Sequence, residues 1–132
     1  MNHIIGKEGE LLAISFLERN RYRICATNFT APIGKSSTGK TILGEIDIIA
    51  FDGQVLCFIE VKTRSYLGLY APQDAVDAAK KLNIALTARK YLRLVGWKYK
   101  PYRFDVVTVI LQQGSAPKLE ILKNYFADPL RK

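Results

Sequence analysis

Hydrophobic and polar positions along the chain change period several times, and each change predicts an element. From about Gly6 to Asn20 strong helix formers run without a proline, and Glu8, Ser15 and Arg19 fall on one polar face at about 100° per residue. Glu10 lies nearly opposite that face, between Ile14 and Leu17, where a carboxylate aimed at the core is costly unless it is paired or bound to a cation. Arg21 to Asn28 then alternates Tyr22, Ile24 and Ala26 with Arg21, Arg23 and Cys25, the pattern of an edge or half-exposed strand. Pro32 to Lys40 reads as a loop. Gly44 to Phe51 and Val55 to Val61 are β-branched, apolar and free of proline, and Asp52-Gly53 between them signals a hairpin turn. Pro72 suits a first helical residue and Gly96 a helix stop, with Ile84, Ala88, Tyr91 and Val95 as a stripe opposite Arg89 and Arg93. Phe104 to Leu111 predicts another strand and Leu119 to Leu122 a short last one. This order predicts one α/β domain over residues 1–132, a mixed sheet covered by helices.

The hairpin decides where the acids go. A two-residue loop at Asp52-Gly53 pairs Phe51 with Gln54, Asp47 with Phe58 and Glu45 with Glu60. Side chains alternate along strands, so Glu45, Asp47, Glu60 and Lys62 then share one face. Asp47 and Glu60 become diagonal neighbours about 7 Å apart at the backbone, near enough for both to reach one hard cation at about 2.0 to 2.6 Å. A bulge at the turn would scatter them.

That grouping has a chemical use. Phosphodiester hydrolysis needs a nucleophilic water and positive charge beside the phosphoryl oxygens and the leaving group. Carboxylate-bound Mg²⁺ or Mn²⁺ supplies such charge and acidifies water. Lys62 either orients or deprotonates that water, or stabilises developing charge as a cation. The competing explanation is a strand-surface ion pair between Glu60 and Lys62. Against it stands the apolar company of both acids, Val55-Leu56-Cys57-Phe58-Ile59 before Glu60 and Ile46 to Phe51 around Asp47.

Composition narrows the partner. A formal charge of +8 points to a polyanion, and it is unevenly spread. Ala78 to Arg103 carries Lys80, Lys81, Arg89, Lys90, Arg93, Lys98, Lys100 and Arg103 without an acid, interleaved with Tyr91, Trp97, Tyr99 and Tyr102, a combination that neutralises phosphates and offers rings, or simply forms a solvated helix face and basic loop. No apolar run nears the roughly 20 residues of a membrane span, and Lys7, Glu8 and Glu10 interrupt any signal-peptide core, so a cytoplasmic protein is expected. Cys25 and Cys57 form no CxxC pair and read as small hydrophobes. With His3 as the only histidine, a Ser/His/Asp or Cys/His catalytic set cannot be assembled.

Gly9-Glu10, Gly44-Glu45-Ile46-Asp47, Phe58-Ile59-Glu60-Val61-Lys62-Thr63-Arg64 and Arg103-Phe104-Asp105-Val106-Val107 together resemble the uncharacterised bacterial YraN-like family, itself similar to the archaeal Holliday-junction resolvases of the PD-(D/E)xK nuclease superfamily. The resemblance implies a restriction-endonuclease-like α/β/α fold and a Mg²⁺- or Mn²⁺-dependent endonuclease acting on DNA. Asp47, Glu60 and Lys62 fill the motif positions, Glu10 matches the helix acid that assists metal binding, and Lys80 falls, more loosely, where relatives carry Lys or Gln. Ile46 stands where the motif has proline, which supplies no ligand. The stretch from Ile33 to Leu43 is a longer loop than relatives are expected to have. Glu45 is expected behind the ligands or orienting backbone, Arg64 at a phosphate, and Asp105 in a structural ion pair with Arg103. A symmetric dimer would serve cutting of both strands of a junction. Fold and activity are separable, so a non-cleaving nucleic-acid-binding module of the same fold is the alternative.

Gly34-Lys35-Ser36-Ser37-Thr38-Gly39-Lys40-Thr41 also matches the P-loop pattern GxxxxGK[ST]. A P-loop needs a strand before it and a helix opening at its Lys-Thr end, whereas here a β-branched strand follows. A Gly/Ser/Lys loop touching a phosphate backbone is the preferred reading, and nucleotide triphosphate binding the lesser one.

Overall fold

Why a chain this short can hide charged residues inside a sheet follows from how its two helices cover both sheet faces. The computed structural model describes residues 2–65 and 76–131, with side chains from residue 6 onward. Along these residues run helix α1 (Asn2–Arg19), strands β1 (Tyr22–Lys35), β2 (Thr41–Asp52) and β3 (Val55–Arg64), helix α2 (Ala78–Val95), and strands β4 (Tyr102–Ile110) and β5 (Lys118–Phe126). The five strands form one sheet in the order β1-β2-β3-β4-β5. Neighbours are antiparallel except β3 and β4, which run parallel and are joined through α2. The mixed α/β architecture matches the expectation.

Each helix seals one face. Ala13 and Leu17 of α1 pack with Ile48, Ala50, Cys57, Ile59, Val107 and Val109. Ile84, Ala85 and Ala88 of α2 pack with Ile46, Ile49, Leu56, Phe58, Phe104 and Val106. Central β3 is consequently buried without interruption from Leu56 to Glu60, as strands covered on both faces are. Asp77 caps α2, accepting the Lys80 amide at 2.8 Å, and Gly96 ends it at φ 67° with the Trp97 amide returning to the Leu92 carbonyl at 2.9 Å. Pro72, expected to open this helix, lies outside the described residues. Val95 does not join the buried stripe, being 47% exposed just before the cap.

Several boundaries differ from expectation. The loop foreseen over Pro32 to Lys40 is confined to residues 36–40, and the longer one over Ile33 to Leu43 is strand at both its ends. β1 and β2 continue their pairing out to Lys35↔Thr41, and only a short turn connects them, closed by the Ser36 amide on the Lys40 carbonyl at 2.8 Å. β5 is also longer than Leu119 to Leu122. Cys25 is exposed at an irregularity in β1, while Cys57 is fully buried. No helix among the described residues is long and apolar enough to cross a membrane.

The β2–β3 turn is shifted. Asp52 pairs with Val55, so Gly53-Gln54 makes the loop, with Gly53 at φ 62°. The expected partners move by two residues: Phe58 faces Ile49 rather than Asp47. Asp52 stays in the ladder because Arg103 and Lys123 from distant strands hold its carboxylate at 2.6 and 3.1 Å. A shift of two keeps every side chain on its face.

Candidate functional site

The site forms where β1 and β2 twist together. Their pairing is Thr27↔Ile48 on one side and Phe29↔Ile46 on the other, with Asn28 and Asp47 between. Strict alternation would put Ile46 and Ile48 on one face, yet Ile46 packs on the α2 side and Ile48 on the α1 side, so β2 rotates at Asp47. Asn28 adopts φ 52°, a left-handed backbone that asparagine tolerates better than most residues.

The same place ends the β2–β3 ladder. The last pair is Ile48↔Ile59, and one more step of that register brings Asp47 opposite Glu60. Instead of a backbone partner, the Val61 amide donates to Asp47 Oδ2 at 2.8 Å. Glu60 is 6% exposed, and its Oε2 meets Lys80 Nζ, from the first turn of α2, at 2.9 Å. Glu10 arrives from the other side of the sheet. Gly9 makes that approach possible, because a Cβ there would lie 1.9 Å from Thr63 Oγ1. Asn28 Nδ2 donates to Glu10 Oε1 at 2.9 Å and to Glu45 Oε1 at 3.3 Å, tying helix and hairpin acids together.

Four carboxylates thus gather around few positive groups. Burial first, then the charge of Glu60 and more weakly that of Glu10, push the Asp47 carboxyl up to about 8, against the opposing pull of the Val61 amide. Burial pulls the Lys80 ammonium down, but Glu60, Asp47 and Glu45 together hold it above its ordinary value. Lys62 and Arg64 follow Glu60 at steps of two along β3 and stand on its side of the strand by alternation, both half-buried.

Among the described residues, no group of three or more Asp, Glu, His or Cys side chains is already placed as a metal-ligating set. The donors nonetheless suit a hard divalent ion: all are carboxylate oxygens, and Asp47 and Glu60 are crowded enough that Asp47 favours a proton. Glu10 is engaged by Asn28 and would have to turn to become a third ligand. The structure therefore brings Glu10, Glu45, Asp47, Glu60 and Lys80 together. Asn28 was not foreseen. Its signal was an asparagine within an alternating apolar strand, a residue type that marks left-handed backbone.

Asp105 belongs to a different cluster, as expected. It accepts from Arg103 Nε at 2.8 Å, Tyr22 OH at 3.1 Å and the Asn124 amide at 2.9 Å. The P-loop-like segment joins two antiparallel strands, with no helix opening after Thr41, and Asp52 serves Arg103 and Lys123. A phosphate cradle of that type lacks its helix terminus here.

Comparison with known proteins bears out the resemblance to the uncharacterised YraN-like family. The chain is 42% identical over 121 residues to a UPF0102 protein of Koribacter versatilis, covering 92% of this chain and 78% of that one. It is 39% identical over 125 residues to a UPF0102 protein of Geobacter sulfurreducens, covering 95% and 90%. A UPF0102 protein of Dictyoglomus thermophilum is 39% identical over 126 residues, covering 95% and 98%. The model of the family matches residues 9–109, from Gly9 beside Glu10 to the end of β4, and so includes every residue of the site. The chain belongs to the uncharacterised protein family UPF0102.

Proposed function

We propose that this protein is a metal-dependent endonuclease that hydrolyses DNA phosphodiester bonds, branched DNA included, on a restriction-endonuclease-like fold related to the Holliday-junction resolvases. The observation that carries the reading is the opposition of Asp47 and Glu60 at the point where the β2–β3 ladder opens, with Glu10 brought alongside from α1. Mg²⁺ or Mn²⁺ held there supplies positive charge beside the phosphoryl oxygens and lowers the pKa of a water. Asp47 and Glu60 would hold it, with Glu10, now engaged by Asn28, as a further carboxylate within reach of the pair. The Val61 amide fixes Asp47, so that this carboxylate is oriented before substrate arrives. Lys62 positions the attacking water or stabilises charge on the phosphoryl oxygens, and Arg64 contacts phosphate. DNA as substrate, like the two free cysteines, suits the cytoplasm. A symmetric dimer would offer one site to each strand of a junction.

A second reading is supported by the ion pair between Lys80 and Glu60 and the bond from Asn28 to Glu10, which already occupy two of the three acids. On that reading the chain binds nucleic acid without cutting it. Cleavage of single-stranded, duplex and four-way-junction DNA with Mn²⁺ or Mg²⁺ separates the two. Endonuclease function requires metal-dependent cutting that Asp47→Ala and Glu60→Ala each lower by about 100-fold or more. Metal-independent cutting, or cutting by either variant at the wild-type rate, sinks it, and DNA binding without any cut favours the second reading.

A further inference from the structure

At the opposite end of β2 and β3 from the carboxylates lies a cleft of about 430 Å³, lined by Arg23, Phe51, Gln54, Trp97 and Lys100 with Gly53 and Pro101. Its volume falls within the roughly 300 to 1,000 Å³ of ordinary ligand sites. The lining holds two cations and no acid. The nearest acid along the chain, Asp52, is neutralised by Arg103 and Lys123.

Its aromatic floor is organised. The Phe51 and Trp97 rings lie 5.3 Å apart at 60°, and each has a cation over its face, Arg23 at 5.1 Å from the Phe51 centroid and Lys100 at 4.8 Å from that of Trp97. Trp97 is fixed by its Nε1 donating to the Pro101 carbonyl at 3.0 Å and by the helix-ending Gly96 beside it. Tyr99, between Lys98 and Lys100, is wholly exposed and sits at φ 58°. A bulky residue in that strained region, unburied, is not explained by packing.

We propose that this cleft binds an unpaired nucleotide within a nucleic-acid strand. The base stacks on Trp97, the Gln54 amide offers a donor and an acceptor to its edge, and Arg23 and Lys100 take the flanking phosphates. Lys100 leaves the Trp97 face as the base takes it, exchanging its contact with the ring for one with phosphate. A half-buried ring pair beside basic residues and no acid fits a stacked base better than an apolar ligand, which would leave both charges unused. α2 connects the two places: it starts with Lys80 at Glu60, exposes Lys90 and Arg93, and ends at Trp97. Along the strands the separation is about 13 Å from Asp47 to Phe51 and about 20 Å from Glu60 to Gln54, at roughly 3.3 Å per residue. That corresponds to about four to six steps of stacked bases at roughly 3.4 Å each. The inference extends the nuclease reading by naming where an unpaired strand is held, but the binding it describes requires no metal and no cleavage.

Trp97 is the only tryptophan, so its fluorescence reports occupancy of the cleft directly. The Asp47→Asn protein in chelator, where no cutting occurs, is titrated with oligo(dT), oligo(U), thymidine monophosphate and a blunt duplex. Saturable quenching by either oligomer, tighter than by the mononucleotide or the duplex, is expected, and the tighter oligomer names the sugar. Arg23→Gln with Lys100→Gln should lower the salt slope of log binding by about 1.4, at about 0.7 per phosphate contact on single strands. Trp97→Leu, followed by anisotropy of a labelled oligomer, should weaken binding about 5- to 150-fold. No quenching by either oligomer, quenching equalled by duplex or mononucleotide, or an unchanged slope in the folded double variant overturns the proposal. Loss of cleavage in wild type with binding intact would count against the nuclease reading alone.

Discussion

Asp105 and Asp47 are both enclosed aspartates on adjacent regions of one sheet, and their surroundings are opposite. Asp105 on β4 is 1% exposed and has a guanidinium, a phenol and a backbone amide as donors. Its network extends through Arg103 to Asp52 and Lys123, and Arg103, chiefly by its hydrogen bonds to Asp105 and Asp52, overcomes burial and keeps its proton more firmly than an ordinary guanidinium. Asp52 is correspondingly held below the usual carboxylate range, led by its bond to Arg103. Asp47 has one amide donor and two carboxylate neighbours, and is pushed up to about 8. One cluster is neutralised within the chain. The other crowds carboxylates together closely enough to raise Asp47, which is what a binding site for a cation or a proton requires.

The largest effect should come from breaking the neutralised cluster. Arg103→Ala leaves Asp105 and Asp52 without their guanidinium, and removing one partner of a buried pair costs about 3 to 5 kcal/mol. Urea unfolding should show the midpoint falling by more than about 1 M at the slopes of small domains. A loss under about 1 kcal/mol would mean that the network is no more structural than a surface pair, and the contrast would fail.

Asp47→Asn should act in the other direction. The folded chain holds the Asp47 proton up to about pH 8, while an unfolded aspartate releases it near pH 3.9. Between those values the native state binds more protons, so stability falls as pH rises, by up to about 1.4 kcal/mol per unit, and the loss is complete above the folded value. Asparagine keeps an oxygen for the Val61 amide and has no charge to bury. In chelator the variant should lose this slope and be more stable than wild type at pH 8. Mn²⁺ should flatten the wild-type profile as well. Parallel thermal melts for the two proteins from pH 5 to 8.5 test this, and identical slopes would remove Asp47 from the contrast.

How much of this was legible in the sequence differs between the two ends for physical reasons. The grouping of Asp47 with Glu60 was readable because it depends on strand parity, and parity survives a register shift of two. The register itself was not, because Asp52-Gly53 is a strong local turn signal and what keeps Asp52 in the ladder is Arg103 and Lys123, far away in sequence. Glu10 was legible from helical angle alone, since the buried Gly9, Ala13 and Leu17 define the face beside it. The β1–β2 loop was drawn a few residues too long at each end because Gly34 to Lys40 is rich in turn formers, while the ladder around it is stabilised by pairing that composition does not encode. Asn28 was overlooked because its role lies in the backbone rotation shared with Asp47, which has no periodic signature.

Lys80 gives the smallest and most discriminating effect, because its ion pair with Glu60 brings a half-exposed cation to the acid-rich end. Its ion pair with Glu60 resembles those of Arg103 in length, but Lys80 is 45% exposed where the Arg103 side chain is 17% exposed. An ion pair with one solvated partner contributes about 0 to 1 kcal/mol. Lys80→Met should therefore leave the fold nearly unchanged, while Glu60 becomes free for a divalent cation. Mn²⁺ binding measured by calorimetry should tighten, by no more than about fivefold if the whole of that energy is released. Weaker Mn²⁺ binding, or a stability loss like that of Arg103→Ala, would place Lys80 among the structural pairs. A modest tightening would instead mean that Lys80 stands in for a cation, holding Glu60 in place until one arrives.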